Sequence, residues 1–305
     1  MPKYPADSKD PYTDPASGLL RNRLGITDAA ELDRVEATFA AVRSYELDTA
    51  PAPARFDLEH LREIHRTLFG DVYPWAGELR SVDIAKGDTR FANAAMIESA
   101  GAQLFRQLDR EGGLRGLDAD GFSARAGHYL GEVNVLHPFR EGNGRAQRAF
   151  INQIAHAAGY HIGWANVTRE EMTRASIEAY HGSSERMAGL IRANLTDRDR
   201  ERALELARST VGELARLEHA APGQSYTGRV VGATERYIVQ ERQNDPGAMV
   251  LHSRRSVDAD AEKMRGRTLE IRYPHGGVGL VRDTGARDVT KDLGKALQKD
   301  RGREK

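Results

Sequence analysis

The chain has 305 residues, 45 basic side chains against 45 acidic ones, and no cysteine. That length fits about two domains of ordinary size, and the cancelled charge gives no case for nucleic acid or a membrane as the main partner. Lack of thiols excludes disulfides and thiolate chemistry and suits a reducing cytosol, while no apolar run could cross a bilayer and the polar N-terminus is no secretory signal, so a soluble cytoplasmic protein is expected. In chain order, helical stripes are predicted over residues 32–45 and 58–68. The second stripe holds His60, Glu63 and His65, but histidines five apart do not share a helix face as a zinc site requires, so packing and surface roles are expected. Residues 79–91 alternate apolar and polar around Lys86-Gly87-Asp88 and read as a short hairpin. Further stripes follow at 95–108, at 122–136 and at 145–158, the last closed by Gly159. Another spans 172–195, and a charged helix then carries Leu204, Ala207, Val211, Leu214 and Leu217 on one face. The period switches to two over 226–232, 236–241, 248–252, 268–273 and 278–282, predicting five short strands in a small barrel.

Between the fourth and fifth helices lies the chemistry: His137-Pro138-Phe139-Arg140-Glu141-Gly142-Asn143-Gly144-Arg145, then Arg148. His137 is the only side chain in the loop whose unperturbed pKa lies near neutrality, so it can take a proton from a hydroxyl. Gly142 and Gly144 permit positive φ and leave backbone N–H groups open to an anion, at the positive end of the helix that follows. Arg145 and Arg148, three apart, share one face of its first turn. Glu141 is the hard oxygen ligand that a phosphate-bound Mg²⁺ takes. A lone histidine before proline is usually packing and a lone Gly-x-Gly is usually a turn, but neither accounts for all these residue types together. No Gly-Lys-Ser/Thr follows and no strand precedes, so the loop is neither a Walker loop nor a dinucleotide fingerprint.

The segment His137 to Arg148 resembles the signature of the Fic family, His-x-Phe-x-Asp/Glu-Gly-Asn-Gly-Arg-x-x-Arg, with every fixed position filled. The likeness extends upstream to His60-Leu61-Arg62-Glu63-Ile64-His65, Leu68-Phe69 and Trp75-Ala76-Gly77-Glu78-Leu79-Arg80, and to Asp10-Pro11-Tyr12-Thr13-Asp14-Pro15 and Leu24-Gly25-Ile26. It implies a mainly α fold, a helical bundle with a β-hairpin flap, that transfers AMP from ATP to a Tyr, Thr or Ser hydroxyl of a target protein. On these positions His137 would be the base, Glu141 would hold Mg²⁺, and Gly142, Asn143 and Gly144 would line the anion hole. Arg145 and Arg148 would take the β- and γ-phosphates, and Phe139 would be the buried anchor beneath the loop. The flap at Lys86, Gly87 and Asp88 would dock the target segment by strand addition.

The family is commonly inhibited by a glutamate in Ser/Thr-x-x-x-Glu-Gly/Asn that pairs with the second arginine. Ser209 to Glu213 has the spacing but Leu214 follows, and Gln107 to Glu111-Gly112 lacks the hydroxyl, so a separate small antitoxin acting on Arg148 is expected. The expected organisation is a catalytic domain over 1–197, a connecting helix over 198–222, an OB-like β-barrel over 223–285 and a charged flexible tail over 286–305. Ten basic against eight acidic residues between 224 and 283 favour a protein-docking module over a nucleic-acid binder. The resemblance points to a bacterial toxin acting on DNA gyrase or topoisomerase IV subunits, or an effector translocated by type IV secretion. The alternative is transfer of UMP, phosphocholine or phosphate, or removal of AMP.

Overall fold

The computed structural model describes residues 10–284 except Ala52, Asp88, Asp258, His275 and Gly276. The chain divides into two compact units, Met1–Asp197 and Arg198–Lys305. In the first, α1 (Ala29–Thr49) starts at Asp28 and α2 (Leu58–Phe69) at Asp57, each aspartate accepting a backbone N–H of the first turn. Such caps satisfy N–H groups that have no partner within the helix. Beyond α2 come the hairpin strands β1 (Ala85–Lys86) and β2 (Thr89–Arg90), then α3 (Ile97–Arg110), α4 (Ala119–Leu136) and α5 (Asn143–Ala157).

Helix α5 is central: Ala146, Phe150, Ile151, Ile154 and Ala155 are buried in one apolar cluster with Leu61, Ile64 and Leu68 of α2 and Phe122, Ala126, Tyr129 and Val133 of α4. Burying side chains of this size from every direction supplies the main driving force and fixes where the N-terminus of α5 points. The expected stripe over 172–195 is two helices, α6 (Arg169–Tyr180) and α7 (Glu185–Ala193), separated by a turn at Gly182, whose φ is 98°. Helix α6 opens with a reciprocal capping box between Thr168 and Glu171. Strands β3 (Tyr160–Ile162) and β4 (Leu195–Asp197) pair antiparallel.

In the second unit the charged helix α8 (Arg198–Val211) is shorter than its sequence stripe. It stops at Gly212, where φ is 88°, leaving Leu214 exposed, and Leu217 lies instead in a strand, β5 (Arg216–His219). Five further strands follow: β6 (Ser225–Ala233), β7 (Tyr237–Glu241), β8 (Ala248–Ser253), β9 (Thr268–Arg272) and β10 (Leu280–Asp283), with a one-turn helix α9 (Ala261–Met264) before β9. The sheet order is β10-β9-β6-β7-β8-β5, antiparallel except that β5 runs parallel to β8. The small barrel expected from the strand spacing is not closed: β10 and β5 are opposite edges, and no pairing among the described residues joins them. The long β6 serves two neighbours, and Gly228 is required there because a Cβ would lie 1.8 Å from the Glu241 carbonyl oxygen. Between β6, β7, β8 and β9, His252 sits in a buried chain running from the Tyr273 hydroxyl to Gln240, whose amide reaches the Gly228 and Leu269 carbonyls. The tail over 286–305 lies outside the described residues.

Candidate active site

His137 follows the last residue of α4 in the left-handed region, with φ 43° and ψ 61°. A non-glycine residue there is strained by about 1 kcal/mol or more and persists only when its surroundings impose it. The fully buried Arg80 does so: its Nε donates to the His137 carbonyl at 2.8 Å, and its Nη2 donates to the carbonyls of Leu136 and Ala92. The Phe91 ring stacks on the imidazole at 3.7 Å between centroids.

The histidine Nδ1 lies 3.1 Å from the Asn134 carbonyl oxygen, which only accepts, so Nδ1 carries the proton and Nε2 is left basic. Burial above all pulls the pKa of His137 down to about 3, with the positive charges of Arg80 and Lys86 adding to it and the Asn134 carbonyl opposing it. The ring is therefore neutral at cellular pH, the form a base needs.

The following loop is held from below. Phe139 is completely buried and stacks on His65 at 3.9 Å. His65 Nδ1 accepts the Gly77 N–H and its Nε2 lies 2.9 Å from the Glu141 carbonyl, so this histidine is the neutral Nε2–H tautomer. Burial pulls its pKa to about 3 as well. It is a strut between the Gly77 and Glu141 backbones, and His60 contacts Gln153 and Glu63.

Asn143 accepts the Phe139 N–H at 2.9 Å and donates to the Phe139 carbonyl at 2.7 Å. Its side chain thus staples the loop, which leaves its backbone for an anion. Glu141 is 8% exposed, and its carboxylate accepts the Gly142 N–H at 3.0 Å.

The two glycines differ. Gly142, with φ 81°, precedes α5, and a Cβ there would meet the Phe69 ring at 2.5 Å. Gly144 has no positive φ; it lies in the first turn of α5, and a Cβ would meet nothing closer than Arg148 Nη1 at 3.5 Å. The expectation that both glycines serve a positive φ holds for Gly142 alone.

Arg145 pairs through Nη2 with the Glu36 carboxylate of α1 and lies over the Phe69 ring, 4.6 Å from its centroid. No carboxylate pairs with Arg148 among the described residues; burial, then the charge of Arg145, lowers its pKa below the usual arginine value. Arg140, at a variable position of the motif, is paired with Asp10 at 2.8 Å, and both side chains are almost wholly buried.

The flap is smaller than the alternation over 79–91 implied. Its strands hold two residues each and join at Gly87, whose φ is 57°; Lys86 is exposed and Asp88 lies outside the described residues. Asp83 fixes its base by accepting from Asn93 Nδ2 and the Ala94 N–H.

The structure thus brings His137, Glu141, Gly142, Asn143, Gly144, Arg145 and Arg148 to the N-terminus of α5, with Phe139 beneath them. Sequence reasoning had not assigned roles to Arg80, Glu36 or Asp10, and gave His65 only a general packing or surface role. For Glu36 a signal existed: the buried row of α1 is Leu32, Glu36, Ala40, a carboxylate where the helical period calls for an apolar residue.

The sequence profile of the Fic/DOC family matches residues 55–155, and that of the KfrB domain matches residues 225–282. Protein adenylyltransferase VbhT of Bartonella schoenbuchensis is 57% identical over 197 residues, which are 65% of this chain; the chain spans 41% of that protein's length. The Fic protein of Escherichia coli is 42% identical over 170 residues, 56% of this chain and 84% of the relative. Among solved structures, the VirB-translocated effector BepC of Bartonella tribocorum, with bound AMPPNP, superposes with a TM-score of 0.59 at 28% identity, covering 61% of this chain and 96% of that one.

Proposed function

The chain belongs to the Fic/DOC family, and from that premise we propose that it is a protein adenylyltransferase, moving AMP from ATP to a Tyr, Thr or Ser hydroxyl of a target protein. The observation that carries the reading is the neutral His137, its Nε2 basic, beside the glycine turn and two arginines at the α5 N-terminus. The target hydroxyl gives its proton to His137 Nε2 as its oxygen attacks the α-phosphorus; the bond to the bridging oxygen breaks and pyrophosphate leaves. The N–H groups of Asn143 and Gly144, together with the dipole of α5, stabilise the phosphate charge, while Gly142, whose N–H donates to Glu141, shapes the turn that exposes them. Arg145 and Arg148 stabilise the leaving group.

The donor set fits Mg²⁺. Glu141 would supply one buried hard-oxygen ligand, and among the described residues no group of three metal-ligating side chains forms a cage. Mg²⁺ accepts such a site when nucleotide phosphates and water complete the shell. When bound it would neutralise phosphate charge.

Strand addition at the flap, which ends at Phe91 stacked on His137, is the proposed mode of target docking. The lowered pKa of Arg148 and its lack of a carboxylate partner among the described residues support inhibition by a glutamate from a separate chain. Topoisomerase ATPase subunits are the first targets to test. Wild type and His137→Ala are incubated with labelled ATP, GTP, UTP or CDP-choline and a bacterial lysate, and modified proteins are identified by mass spectrometry. Label from ATP only, absent with His137→Ala, supports the reading; equal labelling by both proteins would sink it.

A further inference from the structure

Glu36 lies on α1, outside the segment that matches the Fic/DOC profile, yet its carboxylate reaches the motif. One oxygen accepts from Arg145 Nη2 and the other from the Tyr73 hydroxyl. Glu36 is 5% exposed, and burial followed by the charge of Glu36 raises the pKa of Tyr73, so the phenol remains a donor. A carboxylate at a core position is costly unless charged and polar donors compensate it, as these two do.

The Phe69 ring beneath Arg145 restricts the remaining freedom of the guanidinium. Only Nη2 is engaged: Arg145 Nε and Nη1 have no hydrogen-bond partner among the described residues. The carboxylate also offsets repulsion between Arg145 and Arg148, which stand three residues apart on α5.

We propose that Glu36 is a positioning residue that, braced by Tyr73, locks Arg145 with its free donors toward the polyphosphate of the nucleotide. This rests on the assignment of Arg145 to phosphate. The lock predicts selectivity for nucleotides that carry a β-phosphate. Glu36→Ala should weaken ATP and ADP binding by about tenfold or more, because small misplacements of a charged donor cost that much or more, and should leave AMP binding unchanged. Glu36→Gln, whose amide oxygen can still accept from Arg145 while its NH2 donates to the Tyr73 hydroxyl, should recover part of the loss, and Tyr73→Phe should show a smaller loss.

The test is calorimetric titration of the full chain with ATP, ADP and AMP, alongside label transfer and urea unfolding for each variant. Glu36→Ala with unchanged ATP affinity, or with equal losses for AMP and ATP, overturns the proposal. Increased transfer by Glu36→Ala also overturns it, because Glu36 would then compete with phosphate for Arg145. Arg145→Ala separates the two readings: if it leaves ATP binding intact, the phosphate assignment fails; if it weakens binding while Glu36→Ala leaves ATP affinity unchanged, only the positioning role fails. Should Glu36→Ala fail to fold, Glu36→Gln and Tyr73→Phe carry the same comparison.

Discussion

The two glycines of the motif separate folding from ligand binding. Gly142→Ala places a methyl in the left-handed region at φ 81°, which costs about 1–2 kcal/mol. The same methyl lands 2.5, 2.6 and 3.0 Å from three carbons of the Phe69 ring. That ring is fully buried and cannot swing away, so overpacking adds about 1–3 kcal/mol. The expected loss is about 2–5 kcal/mol. Gly144→Ala meets nothing closer than 3.5 Å and sits in a helix without positive φ, so stability should stay level or rise by about 0.5–1 kcal/mol. Its methyl instead stands beside Arg148 Nη1, where the proposed phosphate approaches, and ATP affinity should fall by about tenfold or more. Both tryptophans, Trp75 and Trp164, lie in the first unit, so fluorescence-detected urea unfolding reports that unit alone. Gly142→Ala within about 1 kcal/mol of wild type, or Gly144→Ala binding ATP normally, would refute the reasoning.

Three further outcomes are expected. With the pKa of His137 at about 3, the neutral base dominates at pH 5, whereas an unperturbed histidine would be about 3% neutral there; kcat/KM for target modification should show no acid limb near pH 6.5, and such a limb would contradict the burial argument. His65→Phe keeps the stack on Phe139 but strands the Gly77 N–H and the Glu141 carbonyl, for a loss of about 2–4 kcal/mol at pH 7 in urea unfolding. Folding lowers the pKa of His65, so its stabilisation is full above pH 6.5 and is lost as pH falls toward 3; the variant should lose stability with acid less steeply than wild type, by about 1 kcal/mol per pH unit, and equal slopes would disprove the neutral strut. Asp10→Asn removes the Asp10 charge from beside the buried Arg140 and should cost about 3 kcal/mol, a value that urea unfolding can check against an Asp33→Asn control at an exposed position.

The motif was legible because each residue type has a chemical reason to stand there, and the helices were legible where a stripe met a cap, as at Asp28 and Asp57. What escaped was long-range. Nothing local says that the carboxylate of Asp10 closes on Arg140 or that the guanidinium of Arg80 gathers carbonyls from Val82, Ala92 and Leu136. The helix read through Leu217 failed for a local reason that was visible: Gly212 ends α8, and the apolar spacing beyond it belonged to a strand. Strand positions in the second unit were readable from their period of two, but sheet closure was not. Closure depends on whether the edge strands meet, and a parallel β5 beside β8 makes one of those edges.

Taken residue by residue, the loop is preorganised by groups beyond it. Arg80 and Phe91 hold His137, Asn143 staples Phe139, Asp10 neutralises Arg140, His65 holds the Glu141 carbonyl, Phe69 underlies Gly142, and Glu36 takes Arg145. Arg148 differs. Its charge is half-buried beside another arginine, and no carboxylate answers it among the described residues. A desolvated cation without a counter-charge is a standing attraction for an anion, and the terminal phosphate of ATP and the carboxylate of an inhibitory chain are rival candidates. Two anions at one guanidinium repel each other, so competition for Arg148 is the form of control that the proposed separate inhibitor would take. Arg148→Ala should therefore lose sensitivity to any carboxylate-bearing inhibitor together with part of its ATP affinity. A variant that keeps full inhibition while binding ATP less well would place the control point elsewhere.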